Sequence, residues 1–267
     1  MSLATPFNIL GEPLIELLSI DSTNMYAMAQ IQEGLAVSGS CYRADYQTKG
    51  KGQQAKIWGS APRQNLLCSY VLGLKHLKEA GIVPNSLNLQ QQFGLSVAIS
   101  LGLTDYFSKI AGFDTKIKWP NDLYWHDRKA GGILIENIVR GSDWNWSVIG
   151  IGVNINQTSF SPDLPNPVSL KQITGKPSNV NEQLANLSEY INKRIKEWIT
   201  GDFETMLATY NKRLYKKGKE VKFKNNNISF TGTVIGVNTL GQLIINHGVE
   251  QAYNFGEITW EQEYINK

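Results

Sequence analysis

A lysine, an amide and a carboxylate fall within the five residues Lys118-Trp119-Pro120-Asn121-Asp122. Seven residues beyond Asp122, the stretch Lys129-Ala130-Gly131-Gly132-Ile133-Leu134-Ile135-Glu136 joins a second lysine to two glycines and an apolar run. The first segment reads as a polar turn, the second as the entry to a buried strand. Ammonium groups can hold an anion and steady charge that develops during a reaction. A neighbouring carboxylate can take a cation or receive a proton from an amine. Adjacent glycines let a small ligand lie against bare backbone. A site that binds an anion, coordinates a cation and brings a ligand close to the main chain would use these parts.

Three further stretches carry polar groups in short compass. Asp21-Ser22-Thr23-Asn24 are all helix-capping residue types, and Ser22 and Thr23 place two hydroxyls at a helix start. Gln47-Thr48-Lys49-Gly50-Lys51-Gly52-Gln53-Gln54-Ala55-Lys56-Ile57-Trp58 is basic and nearly free of apolar residues up to its end. It reads as a mobile surface loop. Scattered lysines most often mean only a solvated loop, but here they form a local basic patch. Ile149-Gly150-Ile151-Gly152-Val153-Asn154-Ile155-Asn156 is a glycine-containing strand. It lacks the third glycine and the following helix of a dinucleotide fingerprint, so that reading is rejected.

The elements that must position these groups alternate between strands and helices. Strands are expected up to Leu18 and over Ser40–Tyr46, Leu66–Leu72, Ile117–Trp119, Gly132–Val139 and Trp146–Asn154, with helices over Met25–Glu33 and Leu89–Phe107. Leu184, Leu187, Ile191, Ile195 and Trp198 recur at steps of three and four, the buried stripe of an amphipathic helix. Residues 157–181, rich in Ser, Pro and Asn, read as an irregular connection. Beyond Tyr215 short strand candidates follow closely: Glu220–Lys224, Ile228–Val237, Gln242–Asn246 and Glu250–Phe255, separated by asparagine-rich and glycine turns. The pattern predicts an α/β (α+β) sheet domain over residues 1–214 and a small β-barrel over 215–267.

Composition narrows the function class. Twenty-six basic and 23 acidic residues leave a formal charge of only +3, too balanced to argue by itself for a nucleic-acid or membrane surface. Cys41 and Cys68 are too few for a disulfide framework and lie in no metal-ligand pattern. His76, His126 and His247 are far apart, which argues against a structural zinc site. No run approaches the ~18 apolar residues of a membrane span, and the N-terminus does not read as a signal peptide. The expected setting is cytoplasmic.

The four polar stretches, in this order, resemble the motifs of the biotin–protein ligases, also called biotin–acetyl-CoA-carboxylase ligases. The resemblance covers roughly residues 15–260. It implies a mixed-sheet catalytic domain of the class II aminoacyl-tRNA synthetase/biotin ligase type, followed by an SH3-like barrel closed by Phe255-Gly256-Glu257-Ile258. It also implies a two-step reaction: the biotin carboxylate attacks the α-phosphate of ATP, giving biotinyl-5′-AMP, and a lysine on a carrier domain then takes the biotinyl group. Carried over residue by residue, it puts Ser22, Thr23, Asn24, Gln47, Gly50, Lys51, Lys129, Gly132 and Gly150 at biotin. Gln53, Lys56, Trp58, Lys118, Asn121 and Asn154 fall at ATP. Lys129, Lys51 and Asp122 carry the chemistry, and Asp122 is the candidate ligand for Mg2+. The implied partner is the biotin carboxyl carrier domain of a carboxylase. The stretch before Asp21 is short for the DNA-binding domain some family members carry, so the short form and no specific DNA binding are expected. Monomers and homodimers both fit.

One motif departs from the family. The usual loop is Gly-Arg-Gly-Arg-Arg-Gly-Arg-x-Trp, whereas this chain has Gly50-Lys51-Gly52-Gln53-Gln54-Ala55-Lys56-Ile57-Trp58. Lysine cannot make the planar two-pronged contact of arginine, and glutamine carries no charge. Looser retention of an acyl-adenylate is the expected consequence. Two rival readings stay open: a lipoate–protein ligase, and a non-catalytic biotin-binding module.

Overall fold

The structure, a computed structural model, describes residues 8–84, 91–141, 143–164 and 166–261. Its centre is a seven-stranded mixed sheet built from β1 (Leu14–Leu17), β2 (Cys41–Ala44), β3 (Leu66–Gly73), β4 (Thr115–Lys118), β5 (Asp122–Trp125), β6 (Arg128–Arg140) and β7 (Asp143–Val153). The strand order is β1-β2-β3-β7-β6-β5-β4. Only β1 and β2 run parallel; every other neighbour pair is antiparallel.

Side chains alternate across a pleated strand, and this alternation divides the two faces of the sheet. Leu66, Cys68, Tyr70 and Leu72 of β3, with Ile149, Ile151 and Val153 of β7, point into the main core. There they meet α3 (Gln92–Ala111) and α5 (Val180–Thr200), which pack on each other and on this face. All five residues of the expected α5 stripe are buried in that core. The opposite face is covered only in part. Helix α1 (Thr23–Gln32) packs there over a small cluster of Ala27, Tyr42, Val71 and Val148. Farther along, the same face presents Gly150 and Gly152 of β7 and Gly132 of β6. Gly152 lies directly opposite Gly132 in the ladder, so this part of the sheet is bare backbone.

The C-terminal region forms a five-stranded antiparallel sheet, order β11-β10-β9-β8-β12, from β8 (Glu220–Asn225), β9 (Ile228–Val237), β10 (Leu243–Asn246), β11 (Glu250–Tyr253) and β12 (Ile258–Trp260). This matches the short strands expected there and is consistent with an SH3-like domain. It packs on the central sheet region through polar bonds as well as apolar contact. The indole of Trp119 donates to Gly241 O at 2.9 Å, and Asn211 brackets Val237 through both its backbone groups.

The structure adds elements that sequence pattern did not disclose, among them the short helix α2 (Leu74–Glu79) directly after β3. Strand β5 follows the Pro120-Asn121 turn at once, so its four residues are hidden by turn signals. Helix α6 (Phe203–Lys212) begins at an Asp202 cap that accepts from Glu204 N–H at 2.9 Å. Within the connection read as irregular, Leu170–Thr174 forms a short helix, α4, with a reciprocal Ser169–Gln172 cap. The helix expected from Leu89 is observed from Gln92; Leu89 and Gln90 lie outside the described residues.

Candidate active site

Every residue assigned above to biotin, ATP or the chemistry, except Gly50, lines one cavity of about 760 Å³ on the glycine-bearing face of the sheet, within the size range of small-molecule sites. The stretches that converge there lie more than a hundred residues apart, and the sheet order is what brings them together.

At one end is a buried polar network. Ser22 sits at the start of α1 in extended conformation, and its side chain makes no capping bond. The capping role its residue type permits is therefore not what it does. Thr23 and Asn24, each 3% exposed, point to the sheet. The Thr23 N–H donates to Gln47 Oε1 at 2.7 Å, and its hydroxyl lies 3.0 Å from the same oxygen. The Ser69 hydroxyl lies 2.7 Å from Thr23 Oγ1 and 2.6 Å from Asn24 Oδ1. The Asn24 amide donates to Glu136 at 2.7 Å and to Leu134 O at 3.3 Å. Gly150 is required beneath it: a Cβ there would stand 2.2 Å from Asn24 Oδ1. Ser69 and Glu136 are participants that sequence reading missed. Ser69 is a lone polar residue in an apolar strand, and Glu136 stands beside Asn137 after the apolar run Ile133–Ile135; only the pleat makes either signal interpretable.

The middle of the cavity holds Lys129 and Asp122. Asp122 faces Gly132 across the β5–β6 ladder and Tyr124 faces Lys129, so one extra residue, Ala130, is accommodated on β6. Such bulges re-aim side chains. Here the Lys129 ammonium meets Asp122 Oδ1 at 2.6 Å, with both side chains about a quarter to a third exposed. The Lys129 backbone is clamped from the other side, donating to Asn166 O at 2.8 Å and accepting from Val168 N–H at 2.9 Å. Asn154, expected at ATP, lies at the cavity wall and is 5% exposed. Its amide donates to Val168 O at 3.1 Å and reaches Lys129 O at 3.4 Å, so it also fixes this clamp. Asn121 similarly ties its turn to β6, donating from its amide to Ile133 O while its own carbonyl accepts from Ile133 N–H.

The basic loop is folded as a hairpin rather than splayed into solvent. Trp58 N–H donates to Gly50 O at 2.8 Å, Gly52 N–H donates to Lys56 O at 2.7 Å, and Gln54 turns the tip at φ +53°. Gly50 serves this closure, because a Cβ there would lie 2.4 Å from Trp58 O. The hairpin lays the Trp58 indole across the bare backbone. A Cβ on Gly152 would be 2.5 Å from the ring, and one on Gly132 would be 3.3 Å from it. The glycines expected to admit a ligand thus also seat an indole. Lys51 and Lys56 are exposed and form no ion pair among the described residues.

At the far end, Lys118 is only 7% exposed. Its ammonium lies 4.6 Å from the Tyr124 ring, 5.4 Å from Trp260 and 5.8 Å from Tyr215. Burial pulls it down to about 8 from its ordinary 10.5, opposed by the charge of Asp122. The C-terminal sheet closes this end with Phe255, Ile258, Thr259 and Trp260. Among the described residues no group of three or more His, Cys, Asp or Glu could hold a metal ion. Asp122 remains as a single carboxylate, enough only for an ion whose other ligands arrive with a substrate.

Lysines, a buried polar recess and bare backbone thus share one cavity. A family model for the biotin/lipoate A/B protein ligases matches residues 17–154, just over half of the chain. The chain belongs to that family. The ligase is 28% identical to the bifunctional ligase/repressor BirA of Escherichia coli over 245 residues, 90% of this chain and 71% of that protein. It is 25% identical to the biotin–[acetyl-CoA-carboxylase] ligase of Mycobacterium tuberculosis over 204 residues, 75% and 70% of the two chains. Among solved structures, the biotin protein ligase of Aquifex aeolicus in complex with biotin and ATP shares the fold. Its TM-score is 0.76 at 25% identity, over 95% of this chain and all of that one. The mixed-sheet class read from sequence is therefore that of a ligase enzyme.

Proposed function

We propose that this ligase joins biotin to a lysine of a biotin carboxyl carrier domain, through biotinyl-5′-AMP formed from ATP. The observation that carries the reading is the gathering of the buried Thr23–Asn24 recess, closed by Gln47, and the Lys129–Asp122 pair into one cavity. The recess offers donors and acceptors suited to a neutral polar head, and the lysines suit the two anions that must meet.

In the first step a biotin carboxylate oxygen bonds to the α-phosphorus as the bond to the β-phosphate bridging oxygen breaks, and pyrophosphate leaves. A carboxylate is already ionised at neutral pH, so no base is needed. Lys129, held in place by Asp122, stabilises the charge that develops, with Lys51 and Lys56 supporting it from the hairpin. Lys118 and Asn121 serve the phosphate side, and Trp58 packs by the nucleotide. Asp122 would hold a Mg2+ carried by the nucleotide, an ion that neutralises phosphate charge when bound. In the second step the carrier amine bonds to the acyl carbon, the bond to AMP breaks, and the amine proton passes to the Asp122 carboxylate. The division into a catalytic unit, residues 1–214, and a C-terminal unit, 215–267, belongs to the same proposal.

The test is incubation of the protein with a carrier domain, ATP and Mg2+, with biotin and separately with lipoate, followed by mass spectrometry of the carrier. One biotinyl group on one lysine supports the reading. Transfer of lipoate instead, or biotin binding with no transfer, rejects it in favour of the lipoate ligase or the binding module respectively.

A further inference from the structure

A buried cation must be compensated, and the usual device is a carboxylate. Lys118 is compensated differently. Among the described residues its ammonium forms no ion pair, and the acids nearest to it are already engaged. Asp122 holds Lys129 at 2.6 Å, while Asp127 holds Lys216 at 2.8 Å and accepts from the Tyr215 hydroxyl at 2.6 Å. Around Lys118 stand three aromatic faces from three parts of the chain: Tyr124 of β5, Tyr215 of the connection after α6, and Trp260 of β12. The Tyr124 hydroxyl adds a contact at 3.1 Å. An aromatic face attracts a cation through its quadrupole without adding net negative charge. The charge of Lys118 is therefore held in place but not neutralised, at the wall of a cavity read as binding phosphates.

Trp260 is the member of this cage contributed by the C-terminal sheet. Its ring packs on Phe223 at 4.9 Å and Tyr215 at 5.8 Å, between the sheet core and Lys118. Among the described residues its buried indole N–H has no hydrogen-bond partner. An aliphatic or phenyl side chain would fill space there without that uncompensated donor, so packing alone does not account for an indole. The stronger attraction of an indole face than of a phenyl face for the Lys118 ammonium does. The same sheet is anchored to the Lys118–Asp122 elbow by the Trp119–Gly241 hydrogen bond and by Trp119–Phe255 ring contact at 6.2 Å. The cage geometry is thus locked between the two sheets.

We propose that Trp260 is a positioning residue of the ligase, acting through Lys118 to hold an un-neutralised ammonium ready for the polyphosphate of the nucleotide. This rests on the biotin–protein ligase reading of the cavity. It makes the C-terminal sheet part of the nucleotide site through one ring.

The experiment compares Trp260→Leu and Trp260→Phe, each alone and in a Lys118→Met background. The readouts are ATP and inorganic tripolyphosphate binding by calorimetry, and the KM values for ATP and biotin. Trp260→Leu should weaken ATP and tripolyphosphate binding roughly fivefold, the loss of one cation–π contact. The ATP KM should rise in step, with kcat and the biotin KM nearly unchanged. Trp260→Phe, which keeps a ring face, should stay within about twofold of wild type. In the Lys118→Met background Trp260→Leu should have no further effect, because the coupled partner is gone. Trp260→Met replaces Trp260→Leu if the latter does not fold. The proposal is overturned if Leu and Phe variants behave alike, if the loss persists without Lys118, or if biotin and ATP affinities fall together. A wild-type protein that binds tripolyphosphate in this Trp260-dependent way but never consumes ATP with biotin would overturn the ligase reading alone.

Discussion

Alanine at Gly150 and alanine at Gly152 are the same chemical change on one strand, two residues apart, and should have opposite characters. At 150 the new Cβ would stand 2.2 Å from Asn24 Oδ1, 2.9 Å from its Cγ and 3.1 Å from its Nδ2. Asn24 cannot step aside. It is 3% exposed in the first turn of α1, in contact with Ser69 at 2.6 Å, and donates to Glu136 at 2.7 Å. Displacing it breaks a hydrogen bond to a carboxylate and leaves buried polar groups unmatched, a loss of about 3 kcal/mol. For a chain of this size that is roughly 6–12 °C in Tm. At 152 the Cβ meets the Trp58 indole at 2.5 Å, but Trp58 hangs from a surface hairpin that can lift. The cost to stability should stay under about 1 kcal/mol. Trp58 should then leave its half-buried seat on the sheet, shifting tryptophan emission, and nucleotide affinity should fall. Urea unfolding followed by circular dichroism, with biotin and ATP titrations, reads both effects. Equal destabilisation by the two substitutions, or a Gly150→Ala protein as stable as wild type, would refute the reasoning.

Other consequences are equally direct. Lys129→Met should lower the rate of adenylate formation about 10²–10³-fold, as removal of a charge-stabilising group does, while biotin still binds by calorimetry; an unchanged rate would remove Lys129 from the chemistry. Gln53→Arg should slow dissociation of the acyl-adenylate relative to wild type, measured by rapid filtration; equal rates would show that the loop's lost charge is immaterial. Lys118 supplies a pH signature in stability. Its folded value is near 8, held down by burial, against an ordinary 10.5. Below pH 8 both states are protonated and the buried charge counts against the fold. As pH rises from about 8 to 10.5 the unfolded chain binds more protons, so this residue's contribution becomes more favourable by up to about 3 kcal/mol. Unfolding measured across that window should show the rise in wild type relative to Lys118→Met; parallel curves would count against it.

Much of the site could be read from sequence because its parts are local. The Lys118–Asp122 elbow, the Lys129–Gly132 strand entry and the Ser22–Asn24 helix start each place several polar groups within a few residues. The strands that carry them announce themselves by apolar runs. What escaped reading depends on pairing across the fold. Ser69 looks like any serine in the apolar run Leu66–Leu72 until β3 is set beside β7 with its even residues in the main core. The bulge that turns Lys129 onto Asp122 exists only as a register shift between β5 and β6. The cage around Lys118 joins residues 118, 124, 215 and 260, a spacing with no period to detect. The basic loop was legible as a loop, but its fold-back onto Gly132 and Gly152 depends on bare backbone contributed by two other strands.

The measurement that tests the central claim most directly is ATP–pyrophosphate exchange with Mg2+, run with biotin and separately with lipoate. The structure-based account predicts exchange with biotin, little with lipoate, and loss of exchange in Lys129→Met. Exchange with lipoate alone, or none with either while biotin still binds, would contradict it.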